Sequence, residues 1–495
     1  MPEWRPWAAA LVAYAFFLRL IYAAQVELIP EETYYWNYSR HLDIGYLDHP
    51  PMVAWLIRCG TSLFGDTQFG VRFGALCCGV AASLWIFRLT RNLVGEAGAW
   101  LALALVQVLP FFFLAGLLAT PDAPLTAAWA ATLYFLERAL VAGTGRAWLW
   151  AGLSMGAGLL SKYTIGLLGV AGLLFMVWDP PSRRWFKRWE PYAAVLVAAA
   201  VFAPVIVWNA ENDWASFAFQ TSRRLAEPTR FSLDKLLGAS VVLLTPTGFA
   251  ALCLAVFRST AAPPRAWRLL KIAIGAPLTV FAVFSLRHEV KLDWMGAPWV
   301  SALPLLAHGL AEAGRPGAAH PALRWVWPAT MIFMISLYTA GGYYLAIGIP
   351  GLGYSRHTEL LPVGWRDLGR QIDAMAAELR AADSAELLVV GMDRYAIASE
   401  RAFYSEDPAR AVADTTSWHL FGDRGLMYER WFPVERQVGR TLLLVALDAA
   451  SLADAHLQPY VSGLDPVHEG TLSRDGAVVR RYYYRVAHGY GPRAR

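Results

Sequence analysis

The chain has 495 residues, of which 57% are hydrophobic and 16% charged. Soluble domains carry about 25% charged residues, so the composition excludes an ordinary water-soluble protein and predicts a polytopic α-helical membrane protein. The net charge of +5 is small, and the basic residues sit mainly in a few short loops. That pattern offers no footprint for a nucleic-acid partner and fits membrane orientation instead.

A helix needs about 20 mostly apolar residues to cross a bilayer. In chain order, spans are predicted at 7–26, 69–89, 97–117, 125–141, 147–161, 163–178, 192–210, 236–257, 272–286, 295–313 and 325–349, about eleven in all. The first reads as a retained span, because it lacks a small-residue cleavage site. Arg19 lies inside it, where snorkelling or an internal ion pair is expected. The stretch 52–64, MVAWLIRCGTSLF, is too short to span and reads as an amphipathic interfacial helix. Cys59, Cys77, Cys78 and Cys253 lie in or beside apolar runs without a CxxC pair, and read as buried thiols.

Basic residues set the orientation. Arg88 and Arg91 follow the second span, Arg138 and Arg146 the fourth, SRRWFKR the sixth, RSTAAPPRAWRLLK the eighth, and Arg315 and Arg324 the tenth. With alternating spans these share one side, which is therefore cytoplasmic, as is the amino terminus. The loop IPEETYYWNYSRHLDIGYLDHPP, the ATPDAPL turn, Lys162, the loop 211–235 and RHEVKLDW then share the outer side. The carboxy terminus is outside as well.

From about residue 350 the pattern changes. GWRDLGRQIDAMAAELRAA predicts an amphipathic helix, and ELLVVG and TLLLVALD predict buried strands. VHEGTLSRDGAVVRRYYYRV predicts a hairpin with Asp475 and Gly476 at its turn. The expected division is a transmembrane domain over 1–349 and a small extracytoplasmic α/β domain over 350–495. In Tyr482–Tyr484, two rings share one face of a strand, for which core packing is the expected use.

The outer side gathers unusual chemistry. Glu31, Glu32, Asp48 and Asp122 stand at the hydrocarbon boundary, where a carboxylate needs a partner or a water-filled cavity. His49, Lys162, Arg223, Arg224, His288 and Lys291 run against the positive-inside trend. An anionic ligand such as a phosphate is a sufficient cause; snorkelling to head groups is the plain alternative. Pro50 and Pro51 stiffen the chain after His49 and fix its direction. Tyr34, Tyr35, Trp36 and Tyr38 read as an interfacial anchor before a sugar-stacking platform. RHEV holds a His–Glu pair but lacks the second His of HExxH, so the metal site is unassigned and a divalent metal is left open. No Gly-rich nucleotide loop is present.

These residues carry a resemblance. PEETYYW, LDHPPMVAWLI, TPDAPL, GLLSKYT, WNAENDWASFAFQ, HEVKLDW and RYAIASERAFY occur in family order along nearly the whole chain. They resemble the GT-C fold, polyprenyl-phosphate-sugar-dependent glycosyltransferases of the protein-mannosyltransferase and aminoarabinose-transferase superfamily (glycosyltransferase family 39 type). The resemblance implies catalytic carboxylates at Glu31, Glu32 and Asp122, with Glu31 standing where the family usually carries Asp. It implies substrate contacts at Asp48, His49, Lys162, Tyr163, Arg223, Arg224, His288, Glu289 and Lys291, with His49 at the place of a phosphate-binding lysine.

The same resemblance implies a membrane enzyme of the inner (plasma) membrane. It would move a monosaccharide, with inversion, from a polyprenyl-phosphate donor to an envelope acceptor on the periplasmic face. That acceptor would be a glycolipid such as lipid A or lipopolysaccharide, a polysaccharide or a protein. For a hydroxyl acceptor Glu31 would be the base; for a phosphate or carboxylate acceptor it would position or balance cations. The rival class is a polyprenyl-lipid flippase, which would show related halves with broken helices. No such symmetry stands out. The outer domain is expected to cover the cavity or help select the acceptor.

Overall fold

The computed structural model describes residues 4–222, 228–257, 264–313, 322–349, 353–354, 361–382, 386–474 and 477–491. Each predicted span meets helical structure. The helices are α1 (Trp4–Gln25), α2 (Pro30–Arg40), α3 (Met52–Phe64), α4 (Gln68–Val94), α5 (Glu96–Val108), α6 (Pro110–Ala115), α7 (Asp122–Leu136) and α8 (Ala147–Leu159). There follow α9 (Gly166–Trp178), α10 (Glu190–Glu211), α11 (Ala215–Gln220), α12 (Leu233–Phe257), α13 (Arg265–Ser285), α14 (Leu303–Ala313) and α15 (Leu323–Ile347).

Six helices among the described residues are long and apolar enough to cross a membrane, or seven if the bent pair Tyr163–Trp178 and Pro180–Lys187 is one span. The eleven predicted spans therefore include several that are short or interrupted. Proline explains two of the interruptions. Pro110 has no N–H to offer Val106, and α5 stops at Val108 before α6 begins. Pro298 lies in a run of 3₁₀ turns, Leu292–Met295 and Ala297–Ala302, that precedes α14.

Arg19 neither snorkels nor pairs with a carboxylate among the described residues. Its Nε donates to the Phe113 carbonyl at 3.0 Å, and Nη2 reaches the carbonyls of Phe112 at 3.3 Å and Val106 at 3.5 Å. Nη1 donates to Gln107, and the guanidinium lies 4.7 Å from the centre of the Phe113 ring. The arginine thus serves the Val106 carbonyl, which Pro110 leaves without its helical N–H, and carbonyls in the last turn of α6, where polar groups are costly to leave unpaired in an apolar setting. The cysteine expectation is also corrected. None of the four cysteines is in a disulfide, but Cys59 and Cys77 are exposed and Cys78 and Cys253 half-buried.

The chain divides into two compact units. The first comprises residues up to Ile21, Ile44–Leu56 and Arg72–Thr339. Its apolar core is rich in tryptophan, with Trp129, Trp299 and Trp327 buried. The second comprises Tyr22–Asp43, Ile57–Val71 and the chain from Ala340 onward. The C-terminal portion expected at 350–495 is thus built together with two earlier segments.

Within the second unit, α16 (Trp365–Ala382) and α17 (Ala396–Tyr404) accompany a six-stranded sheet. Its strands are β1 (Leu387–Gly391), β2 (Thr415–Ser417), β3 (Thr441–Ala446), β4 (Gly463–Leu464), β5 (His468–Arg474) and β6 (Ala477–His488). The order is β2-β1-β3-β6-β4, with β5 on β6; β1 runs parallel to β2 and β3, and β6 antiparallel to β3. β1 and β3 are buried throughout, as continuous apolar runs require. The β5–β6 hairpin forms as expected, while Asp475 and Gly476 lie outside the described residues. Tyr482 and Tyr484 stack at 6.0 Å on one face of β6.

The aromatic run of α2 is neither an interfacial anchor nor an open platform. Tyr34, Tyr35, Trp36 and Tyr38 are all buried. Tyr34 and Tyr38 pack on Trp431, and Trp36 meets Phe403 edge-on at 5.2 Å. Rings spaced i, i+4 present one face of a helix, and here that face is core.

Candidate active site

In the first unit, Asp122 opens α7 in the Pro-flanked TPDAPL turn, where its acidic charge suits a helix start. Lys162 follows α8, and its N–H closes the last turn onto Gly158 at 2.8 Å. The Lys162 ammonium donates to both Asp122 oxygens, at 3.0 and 3.2 Å, and to Asp293 Oδ2 at 2.6 Å. An ammonium carries three donors and no acceptor, so two carboxylates occupy it well. The Lys162 and Asp122 side chains are 11% and 14% exposed, whereas Asp293 is 41% exposed. Burial pushes the Asp122 carboxyl up to about 6; Lys162 pulls against that rise and Asp293 adds to it.

Asp293 was not among the predicted site residues, although its stretch HEVKLDW was singled out. Its signal was present: a carboxylate two residues after Lys291, beside a tryptophan, in an apolar run.

A cavity of about 570 Å³ adjoins this group. Its polar lining includes His49, Lys162, Tyr163, Gln220, Lys291 and Asp293, and its apolar wall includes Phe202, Phe217, Phe281, Phe284 and Trp294. Met52 N–H bonds to the Leu160 carbonyl at 3.0 Å, which ties the chain after His49 to the end of α8. Gln220 Nε2 donates to the Asp48 carbonyl at 2.5 Å, and the Asp48 charge acts on Tyr163. Tyr163 pairs its hydroxyl with Ser216 at 2.8 Å and sets its ring against Phe202 and Phe217.

The other predicted contacts fall differently. His288 packs its ring 4.8 Å from Phe284 and does not line the cavity. Glu289 is exposed and pairs with Arg230, at 2.9 Å, and with Lys235. Arg223 and Arg224 lie outside the described residues. Among the described residues no group of three or more His, Cys, Asp or Glu is arranged to hold a metal ion.

In the second unit, Glu31 and Glu32 occupy the first turn of α2. Glu32 is fully buried, and its Oε2 accepts the Ile29 N–H at 3.1 Å. That is the helix-capping use of a glutamate at this position. Glu31 is exposed, and its Oε1 accepts a hydrogen bond from the Tyr395 hydroxyl at 3.2 Å. Tyr395 is a second residue absent from the predicted site; only its stretch, RYAIASERAFY, was singled out.

A family described as dolichyl-phosphate-mannose-protein mannosyltransferase matches residues 48–208. The solved structure of ArnT from Cupriavidus metallidurans bound to undecaprenyl phosphate superposes with a TM-score of 0.64. The match covers 97% of this chain and 98% of that one, at 16% identity. The chain has the GT-C glycosyltransferase fold.

Two curated relatives of this GT-C chain are named for envelope chemistry. It is 30% identical over 192 residues to the lipid A galacturonosyltransferase RgtD of Rhizobium johnstonii, covering 37% of this chain and 38% of that one. It is 30% identical over 244 residues to the undecaprenyl phosphate-α-4-amino-4-deoxy-L-arabinose arabinosyl transferase of Pseudomonas aeruginosa, covering 44% and 43%. The alignments with these two relatives thus span about two fifths of their length.

Proposed function

We propose that this chain is an integral inner-membrane glycosyltransferase that moves a monosaccharide from a polyprenyl-phosphate donor to a lipid A or other lipopolysaccharide acceptor. The observation that carries the reading is the first unit's cavity. It joins two lysines and a histidine to a long aromatic wall, as a phosphate on a hydrocarbon chain requires. The names of the two relatives and the ligand of the ArnT structure support the same chemistry. The basic loops support a cytoplasmic amino terminus, with the cavity and the C-terminal domain periplasmic.

In this reading the C1–O bond to the lipid phosphate breaks as the acceptor oxygen attacks C1 from the opposite face. The bonding pair leaves with the phosphate. Lys162, Lys291 and His49 stabilise the charge that develops on it. Asp122 and Asp293 hold the Lys162 ammonium in place. The resemblance assigns the hydroxyl proton of the acceptor to Glu31 of the second unit, where Glu32 keeps the start of α2 folded. The transition state is oxocarbenium-like, as in glycoside hydrolysis.

The test uses the purified protein in vesicles with undecaprenyl-phosphate sugars and lipid A, with and without a chelator. Release of undecaprenyl phosphate with a matching mass gain on lipid A supports the reading. Intact donor moved between leaflets, with no release, would replace it by the flippase. Loss of activity on chelation would add a metal.

A further inference from the structure

Glu31 and Tyr395 are 364 residues apart in the chain and share a hydrogen bond. Both belong to the second unit, and several features fix the tyrosine there. Gly391 ends β1, where an added Cβ would lie 2.8 Å from the Ala398 nitrogen and 2.9 Å from the Ile397 side chain. Only glycine lets the start of α17 lie so close to the strand end. Asp393 accepts the N–H groups of Tyr395, at 3.0 Å, and Ile397, at 3.1 Å, which pins the entry to that helix. The Tyr395 ring lies 4.8 Å from the Tyr34 ring. Tyr34 is itself held by the Met427 N–H and the Tyr38 hydroxyl, each at 3.2 Å. The phenol therefore stands on a rigid support, while the carboxylate it touches is exposed.

The kind of donor matters. Glu31 occupies a place where the resembling family usually carries Asp, and the extra methylene gives it one more free torsion. A longer side chain must be restrained to act from one position. A lysine or arginine would restrain it but would put a full positive charge beside a group that has to accept a proton. A phenol donates one hydrogen bond and stays neutral. The surroundings are already acidic: Glu27, Glu31 and Glu32 all act electrostatically on the buried Glu400, with Arg480 the cation among them.

We propose that Tyr395 is a positioning residue for the transfer reaction, holding the Glu31 carboxylate in the orientation from which it receives the acceptor proton. The proposal rests on the reading of Glu31 as the acceptor-activating carboxylate. It gives the C-terminal sheet domain a task in the chemistry, because β1 and α17 are what deliver the phenol.

The experiment compares Tyr395→Phe, Glu31→Asp, Glu31→Gln and the double variant Glu31→Asp/Tyr395→Phe in the full-length protein, with undecaprenyl-phosphate sugar and lipid A. Phenylalanine keeps the ring on Tyr34, and thermal unfolding checks that each variant folds. Tyr395→Phe is expected to lower kcat about tenfold, the scale of one lost hydrogen bond to a charged group, with KM for both substrates unchanged. In the Glu31→Asp background, whose shorter side chain reaches less far toward the phenol, the same change is expected to cost less than half as much. An unchanged kcat in Tyr395→Phe, or a rise confined to KM, overturns the proposal. Full activity in Glu31→Gln instead overturns the assignment of Glu31, so the two failures are told apart.

Discussion

Lys162 makes its shortest bond to Asp293, 2.6 Å, against 3.0 and 3.2 Å to the two oxygens of Asp122. The buried carboxylate holds the lysine from behind, and the exposed one holds it at the cavity wall. A phosphate entering the cavity therefore competes with Asp293 for the ammonium. Lys162→Met should reduce transfer by about a hundredfold or more, the scale for losing one preorganised charge at a reacting anion. Asp293→Asn should do the reverse to binding, tightening the affinity for free undecaprenyl phosphate by up to about fivefold, as one partly exposed ion pair is removed. Titration calorimetry with undecaprenyl phosphate and a turnover assay check both.

Asp122 and Asp293 give the triad pH dependences of opposite sign. Asp293, against the pull of its burial, is held below the ordinary aspartate value by Lys162 and acts only in more acid solution, while Asp122 acts above it. The folded-state value of Asp122 is raised from 3.8 to about 6, so the folded protein holds the proton more tightly than the unfolded chain. Its contribution to stability is then full below the ordinary aspartate value and is lost as pH rises through about 6. Thermal unfolding from about pH 4 to pH 7 should show this decline, and Asp122→Asn should flatten it. An unchanged slope in the variant would reject the assignment.

Arg19 should matter for stability rather than for chemistry. Arg19→Leu removes the guanidinium's bonds to Gln107 and to the Val106 and Phe113 carbonyls, at a cost of about 1–3 kcal/mol. Arg19→Lys should recover only part of the loss, since an ammonium cannot reach several carbonyls with a planar fork. Thermal unfolding in detergent measures both, and the turnover of whatever protein stays folded should be close to normal.

Glu31 and Glu32 should separate cleanly. Glutamine can still accept the Ile29 N–H, so Glu32→Gln should fold and retain most of its activity. Glu31→Gln keeps the shape but cannot take a proton, and should lose about a hundredfold or more in transfer rate. Parallel rate measurements on the two purified variants decide it.

Much of the fold was legible because apolar length and basic loops are local signals. The helices α1, α4, α10, α12, α13 and α15 announce themselves this way, and so do the buried strands β1 and β3. The helix breaks were less legible, since Pro110 and Pro298 sit inside runs that still count as apolar. Asp122 and Lys162 were both chosen from their turns, but their bond joins residues 40 apart, and the Asp293 bond spans 131. Nothing local announces such pairings. The tyrosines of α2 were misread for a related reason. Rings just past a span look like a membrane belt until segments more than 300 residues later are known to cover them.

The three-part make-up of the second unit also bears on how such proteins can be recombined. Residues 22–43 supply the buried rings on which Tyr395, Phe403 and Trp431 rest. A chimera that exchanges only the C-terminal third between relatives would pair one parent's helix with the other parent's socket. A transplant that keeps the hydrophobic match has to bring the first loop along with the tail.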